Sequence, residues 1–146
     1  MCKNCDYVEM LQSHDLEPTP LREAVFKSIG QESKPLAAVE LMVSIRRQMS
    51  INKVTLYRIL DLLVEKGLVK RLSAGDRAFR YGMGESRHHP SHPHFLCTEC
   101  GVMECLDPKF LPVDIEKYRN KSRRIIKRVD VRFEGICERC AQVDTK

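Results

Sequence analysis

The sequence has no tryptophan and only 6% aromatic residues, so a core organised around large rings is not to be expected. No stretch approaches the roughly 18 consecutive apolar residues of a membrane-spanning helix, and Met1 to Asp6 lack the apolar run of a signal peptide. These absences predict a cytoplasmic chain with no membrane partner. Low-complexity tracts and internal repeats are also missing, and 42% apolar with 31% charged residues excludes global disorder and collagen-like structure. A length of 146 residues allows one or two compact units. A strong excess of one charge is lacking too: 25 basic residues oppose 20 acidic ones, for a net +5. That surplus lets the chain approach polyanions, and it is spread evenly enough on the two sides of Ser86 that it does not say which half meets them.

Three helices and a hairpin are predicted for the first half. Leu21, Ala24, Val25 and Ile29 recur at helical spacing and Gly30 follows where a helix often ends. A second helix is expected to start near Pro35 and to carry Leu36, Val39, Leu41, Met42 and Ile45 toward Arg46 and Arg47, cations suited to a C-terminal end. Asn52 can cap a third, whose stripe is Leu56, Ile59, Leu60, Leu63 and Val64 and which Gly67 stops. Leu68–Leu72, a turn at Ser73–Asp76 and Ala78–Tyr81 read as a two-stranded hairpin. This order is that of a winged helix-turn-helix. The Gly-, Ser-, Pro- and His-rich segment that follows reads as a hinge. Beyond it, short strands at His94–Leu96 and Val102–Leu106, a charged helix over Val113–Arg124 and a strand over Ile125–Ile136 predict a small α/β lobe. The fold class is α+β, with a winged-helix domain at residues 1–82, a hinge at 83–93 and a dimerisation domain at 94–146.

Seven cysteines in a reducing compartment are better read as metal ligands than as disulfides. Cys97 and Cys100 form one Cys-x-x-Cys pair, and Cys137 and Cys140 form another after 36 intervening residues. Four thiolates on two tight turns make a closed tetrahedral zinc site, structural because no coordination position is left open. A thioredoxin-like role is disfavoured on the expectation that neither pair joins a strand to a helix N-terminus. Cys2 and Cys5 form a third pair, at a terminus that adds no supporting geometry. Cys105, within a strand pattern, reads as a small buried hydrophobe outside the metal site.

Four of the five histidines, His88, His89, His92 and His94, fall within seven residues of the hinge. Imidazoles at alternate positions of an extended segment can converge on zinc or iron, with Glu85 the nearest carboxylate. Metal there could set the angle between the lobes, as a sensor requires. The bland alternative is a solvated loop. Lys117–Arg128, where seven of twelve residues are basic, reads either as a solvated helix face or as a contact for DNA phosphates.

Thr19-Pro20-Leu21-Arg22, Val54-Thr55-Leu56-Tyr57-Arg58-Ile59-Leu60, and His92-Pro93-His94-Phe95-Leu96-Cys97 through Gly101 with the distal Cys137 and Cys140 resemble the ferric uptake regulator (Fur) superfamily. The resemblance covers residues 15 to 141, and its zinc uptake branch is the one favoured. It implies a metal-dependent repressor that is a homodimer through its C-terminal lobes, with structural zinc in the cysteine quartet. A second, regulatory metal at the hinge would close the winged helices onto an AT-rich inverted-repeat operator in double-stranded DNA, with no small-molecule substrate. The third helix is expected to enter the major groove, Tyr57 meeting a thymine methyl and Arg58 a base edge or phosphate. Arg22 and Lys53 would position the backbone beside Asn52 and Thr55. Tyr57→Ala is expected to weaken operator binding with little loss of stability.

The sequence departs from the family pattern at Ser91 and Pro93, and near Pro112 and Val129, where a secondary site would have ligands. It departs again at Lys34, Pro35 and Gly82, where a sensory site would have a His and a Glu. A site made mainly of hinge histidines, short of oxygen ligands, favours zinc over Fe2+. The alternatives are an iron-responsive or peroxide-responsive regulator of the same family. From other classes come a zinc-containing protein interaction module and a small zinc hydrolase with Glu85 as general base, the latter disfavoured because no helical His-Glu-x-x-His is present.

Overall fold

A computed structural model describes residues 4–75, 77–110, 114–121 and 123–143. The chain divides into two compact units, Met1–Pro90 and Ser91–Lys146.

The first unit holds helices α1 (Tyr7–Ser13), α2 (Pro20–Gly30), α3 (Ala38–Arg46) and α4 (Lys53–Glu65), with strands β1 (Leu36–Ala37), β2 (Val69–Ala74) and β3 (Arg77–Met83). Local chemistry sets the helix starts. The Thr19 hydroxyl accepts from the Arg22 N–H ahead of Pro20 at the first helical position, and the Asn52 side chain accepts from the Thr55 N–H at 2.8 Å. Gly67, at φ 75°, ends α4: its N–H reaches the Val64 carbonyl and the Leu68 N–H the Leu63 carbonyl, the paired bonds of a Schellman motif. Buried Val25, Phe26, Leu41, Leu56, Leu60 and Leu63 bring α2, α3 and α4 onto one core.

Several expectations for this unit are corrected. Helix α1, which the sequence reading did not anticipate, is capped by Asp6 and buries Tyr7 and Leu11 against that core. Pro35 does not open the second helix. Leu36 and Ala37 pair antiparallel with Tyr81 and Arg80 instead, making a three-stranded sheet of order β1-β3-β2, and α3 begins at Ala38. Glu40 reaches back to accept from the Ala37 N–H at 2.8 Å, which fixes that later start. Val39 is not a core position, being 73% exposed.

Gly84 closes the unit. Its N–H donates to the Leu68 carbonyl at 2.9 Å, and a Cβ at this position would overlap the Gly67 carbonyl oxygen. Backbone cannot yield as a flexible side chain can, so Gly84→Ala should lower unfolding stability by about 1–3 kcal/mol. A denaturant titration with an unshifted midpoint would remove that contact as a constraint.

The second unit is a three-stranded sheet of order β5-β4-β6, formed by β4 (His94–Cys97), β5 (Met103–Cys105) and β6 (Arg132–Gly135). Strands β4 and β5 form a hairpin, while β6 runs parallel to β4 after a crossover that includes helix α5 (Ile115–Lys121); helix α6 (Glu138–Val143) follows. The expected charged helix is thus α5, shorter than Val113–Arg124, and Val113 lies outside the described residues. The strand expected over Ile125–Ile136 shrinks to β6, because Ile125, 91% exposed, has no apolar surface to pack on. Among the described residues the buried set is small: Pro93, His94, Leu96, Cys97, Met103 and Cys137 are its side chains of note. Two of the six are cysteines of the quartet, so this unit's interior is built around sulfur.

Candidate metal centres and nucleic-acid face

Parallel pairing of β4 with β6 assembles the first centre. Cys97 stands opposite Gly135, so the turn after β4 and the turn after β6 meet, tied by the Thr98 N–H donating to the Gly135 carbonyl at 2.8 Å. Cys97, Cys100, Cys137 and Cys140 then have sulfurs all within 4.8 Å of one another. Cys100 and Cys137 Sγ are 3.8 Å apart. Tetrahedral zinc with Zn–S near 2.3 Å separates its sulfurs by about 3.8 Å, so the cluster has the span of a filled site.

Electrostatics agree with that donor set. Backbone N–H groups of Cys100 and Cys137, the latter donating to Cys97 Sγ at 3.3 Å, bring the Cys97 thiol down to about 6. Hydrogen bonding with Cys137 Sγ, followed by burial, pushes Cys140 up to about 12. One sulfur is a ready thiolate and another resists ionising beside its neighbours. Four thiolates share this space only around a cation, which satisfies the requirement of a structural metal site. One expectation fails here: Cys137 does follow a strand into a helix N-terminus, since β6 ends at Gly135 and α6 starts at Glu138. The opposing Cys97 and Cys100 sulfurs make the arrangement a metal quartet all the same.

The β4–β5 hairpin creates the second cluster. His92 and His94, two residues apart on an extended chain, project to one side, and Cys105 is the cross-strand partner of His94. Their ligand atoms all lie within 4.8 Å of one another, and the two imidazole centroids are 4.6 Å apart. Cys105 is therefore not the buried hydrophobe expected of it. It is exposed and stands with the histidines. The signal was available in the sequence: a hairpin folded about the Cys97–Cys100 turn pairs residue 94 with residue 105. Two imidazoles and one thiol suit zinc-class ions, leaving a fourth position for another ligand.

Glu85, His88 and His89 are not in that cluster. They fall in the first unit, Glu85 and His88 exposed, and His89 Nε2 sits 3.3 Å from Cys5 Sγ. Cys2 lies outside the described residues.

Helix α4 presents the candidate nucleic-acid face. Lys53, Val54 and Arg58 are exposed, and Lys53 Nζ lies 6.0 Å from the Tyr57 ring centroid. Asn52 spends its carbonyl oxygen on the helix cap. Tyr57 is half-buried and packs on the core, so Tyr57→Ala must cost stability as well, contrary to the sequence expectation. Arg22 donates from Nη1 to the Glu17 carbonyl at 3.0 Å.

A family model described as "Ferric uptake regulator family" matches residues 13–134. The chain belongs to the ferric uptake regulator family. It is 29% identical over 141 residues to the ferric uptake regulation protein of Bacillus subtilis, covering 94% of each. The Campylobacter jejuni peroxide stress regulator superposes with a TM-score of 0.68 at 27% identity, over 93% of this chain and 100% of that one. The Helicobacter pylori ferric uptake regulator gives 0.69 at 22% identity, over 91% and 87%, a likeness of fold. This Fur-family chain is thus a metal-responsive transcription regulator, and the hydrolase reading, with Glu85 as its base, falls away. These relatives are named for iron and peroxide, and membership alone does not single out a zinc uptake branch. No helix of the described residues is long and apolar enough to cross a membrane.

Proposed function

We propose that this chain represses transcription in the cytoplasm as a homodimer that binds an inverted-repeat DNA operator when its regulatory cluster holds zinc. The observation that carries the reading is the presence of two chemically distinct clusters in one small unit: a four-sulfur set with no position to spare, and a His92–His94–Cys105 set with one open. The first holds structural zinc and the second senses. In this reading residues 1–82 bind DNA, 83–93 are the hinge and 94–146 dimerise. Exposed Phe133 and Ile136, on and just beyond an edge strand of a unit with little core of its own, support a dimer face there.

Metal at the second cluster acts by binding the DNA-competent arrangement more tightly than the other, and its leverage equals that difference in affinity. Arg22, Asn52, Lys53, Thr55, Tyr57 and Arg58 form the DNA-contacting set. Arg58 is the cleanest probe because it is exposed. Arg58→Ala should cost about 1–3 kcal/mol of operator affinity with an unchanged melting temperature. Equal affinity for the operator, measured by fluorescence anisotropy, would take Arg58 out of the interface.

Iron or peroxide response is the second reading, favoured by the names of the relatives. Against it stands the donor set, which has a thiol where a harder ion calls for oxygen. Operator titrations with zinc, and with ferrous iron under anaerobic conditions, decide between them: activation by iron and not by zinc would reverse the order.

A further inference from the structure

We propose a third metal site, outside both clusters above, in which Cys5 and His89 together with Cys2 hold a zinc-class divalent ion. Cys5 Sγ and His89 Nε2 approach to 3.3 Å across 84 residues of sequence, and the pair lies wholly in the first unit. Both donors are held by backbone. Cys5 directly precedes Asp6, the cap of α1, and packs partly on the core into which Tyr7 and Leu11 anchor that helix. His89 closes a small turn, its N–H donating to the Ser86 carbonyl at 3.1 Å and its own carbonyl accepting from the Ser86 N–H at 3.0 Å.

Tetrahedral zinc with Zn–S near 2.3 Å and Zn–N near 2.0–2.1 Å sets sulfur and nitrogen about 3.6 Å apart. The observed pair has to open by only a few tenths of an ångström to admit the ion. Cys2 stands at the Cys-x-x-Cys spacing that puts two thiolates on one turn of the quartet, and it supplies the second sulfur. A thiol–imidazole hydrogen bond alone would also give the short distance. That pairing has no use for Cys2. Occupied, the site clasps the start of α1 to the segment that runs into Ser91, and so gives the chain a metal input besides the one at His92, His94 and Cys105.

The test is thiol alkylation of the full chain with peptide mapping, so that Cys5 is read apart from the other cysteines, with and without added zinc chloride. Zinc should protect Cys5. In His89→Ala and in Cys2→Ser the same protection should need about 10–100-fold more zinc, at least the loss that follows from disturbing a ligand's support. His92→Ala/His94→Ala should leave protection of Cys5 as it is in the parent. Alkylation of Cys5 at one rate with and without zinc would overturn the site, as would unchanged protection in His89→Ala or Cys2→Ser. Loss of protection in the double histidine variant would show that Cys5 reports the other cluster instead, and would overturn it equally.

Discussion

Cys97→Ser should be purified without its stoichiometric metal and with the second unit unfolded. Cys97 is 1% exposed, accepts a hydrogen bond from the Cys137 N–H, and sits where β4 and β6 are paired. Little else could hold that unit together, because its other buried side chains of note are Pro93, His94, Leu96, Met103 and Cys137. Burying a Leu or Met side chain stabilises by about 1.5–3 kcal/mol. Structural zinc contributes about 10–16 kcal/mol in small metal-dependent domains, and so exceeds the apolar residues combined. A serine hydroxyl at this position cannot replace a thiolate that two backbone N–H groups already favour. The first unit should survive, since α1 to α4 enclose a separate core. The expected outcome is thus retained helical circular dichroism, no bound zinc by elemental analysis and a monomer by sedimentation. A variant with one tightly held zinc and a normal dimer would sink the structural assignment. Lowering the pH should act in the same direction on the parent, because protons compete with metal for every sulfur and metal binding must weaken as thiolates are lost.

Some of this architecture was legible in the sequence because one physical rule acted alone. Asn52 ahead of a stripe at Leu56, Ile59, Leu60 and Leu63, with Gly67 behind it, specifies a helix from both ends, and α4 runs Lys53–Glu65. Two Cys-x-x-Cys pairs need only be brought together, which the parallel β4–β6 pairing does. Where two rules competed, periodicity misled. Pro35 is as compatible with a first helical turn as with an extended chain, and the decision fell to the free edge of β3, which takes Leu36 and Ala37 as a strand. Helix α1 has seven residues and only two buried positions, too few for a periodic signal. Cys105 was misjudged because a small apolar-like residue in a strand has two faces to choose from. The hairpin register put it on the face of His94 and in solvent.

That register leads to the second large effect. His92→Ala/His94→Ala should bind the operator weakly and to the same extent with or without zinc, while keeping its quartet metal and its dimer. The two clusters share no ligand, so emptying one need not unfold the other. A coupling of about 1–3 kcal/mol between metal and DNA corresponds to roughly 5–150-fold in operator affinity, and that whole factor should vanish. Cys105 then separates the sensing reading from a solvated loop. If its sulfur completes the set, Cys105→Ser should require much more zinc for activation, since a neutral hydroxyl is a poor ligand beside a thiolate. Cys105→Asp should restore a response and move it toward ferrous iron, because a carboxylate is the harder donor. Operator titrations of these variants against zinc and against anaerobic ferrous iron supply the readout, with native mass spectrometry to count the quartet metal. Full zinc activation in the double histidine variant would remove both imidazoles from the sensing site. Full activation in Cys105→Ser would leave the histidines as sensors and return Cys105 to a bystander on the strand edge.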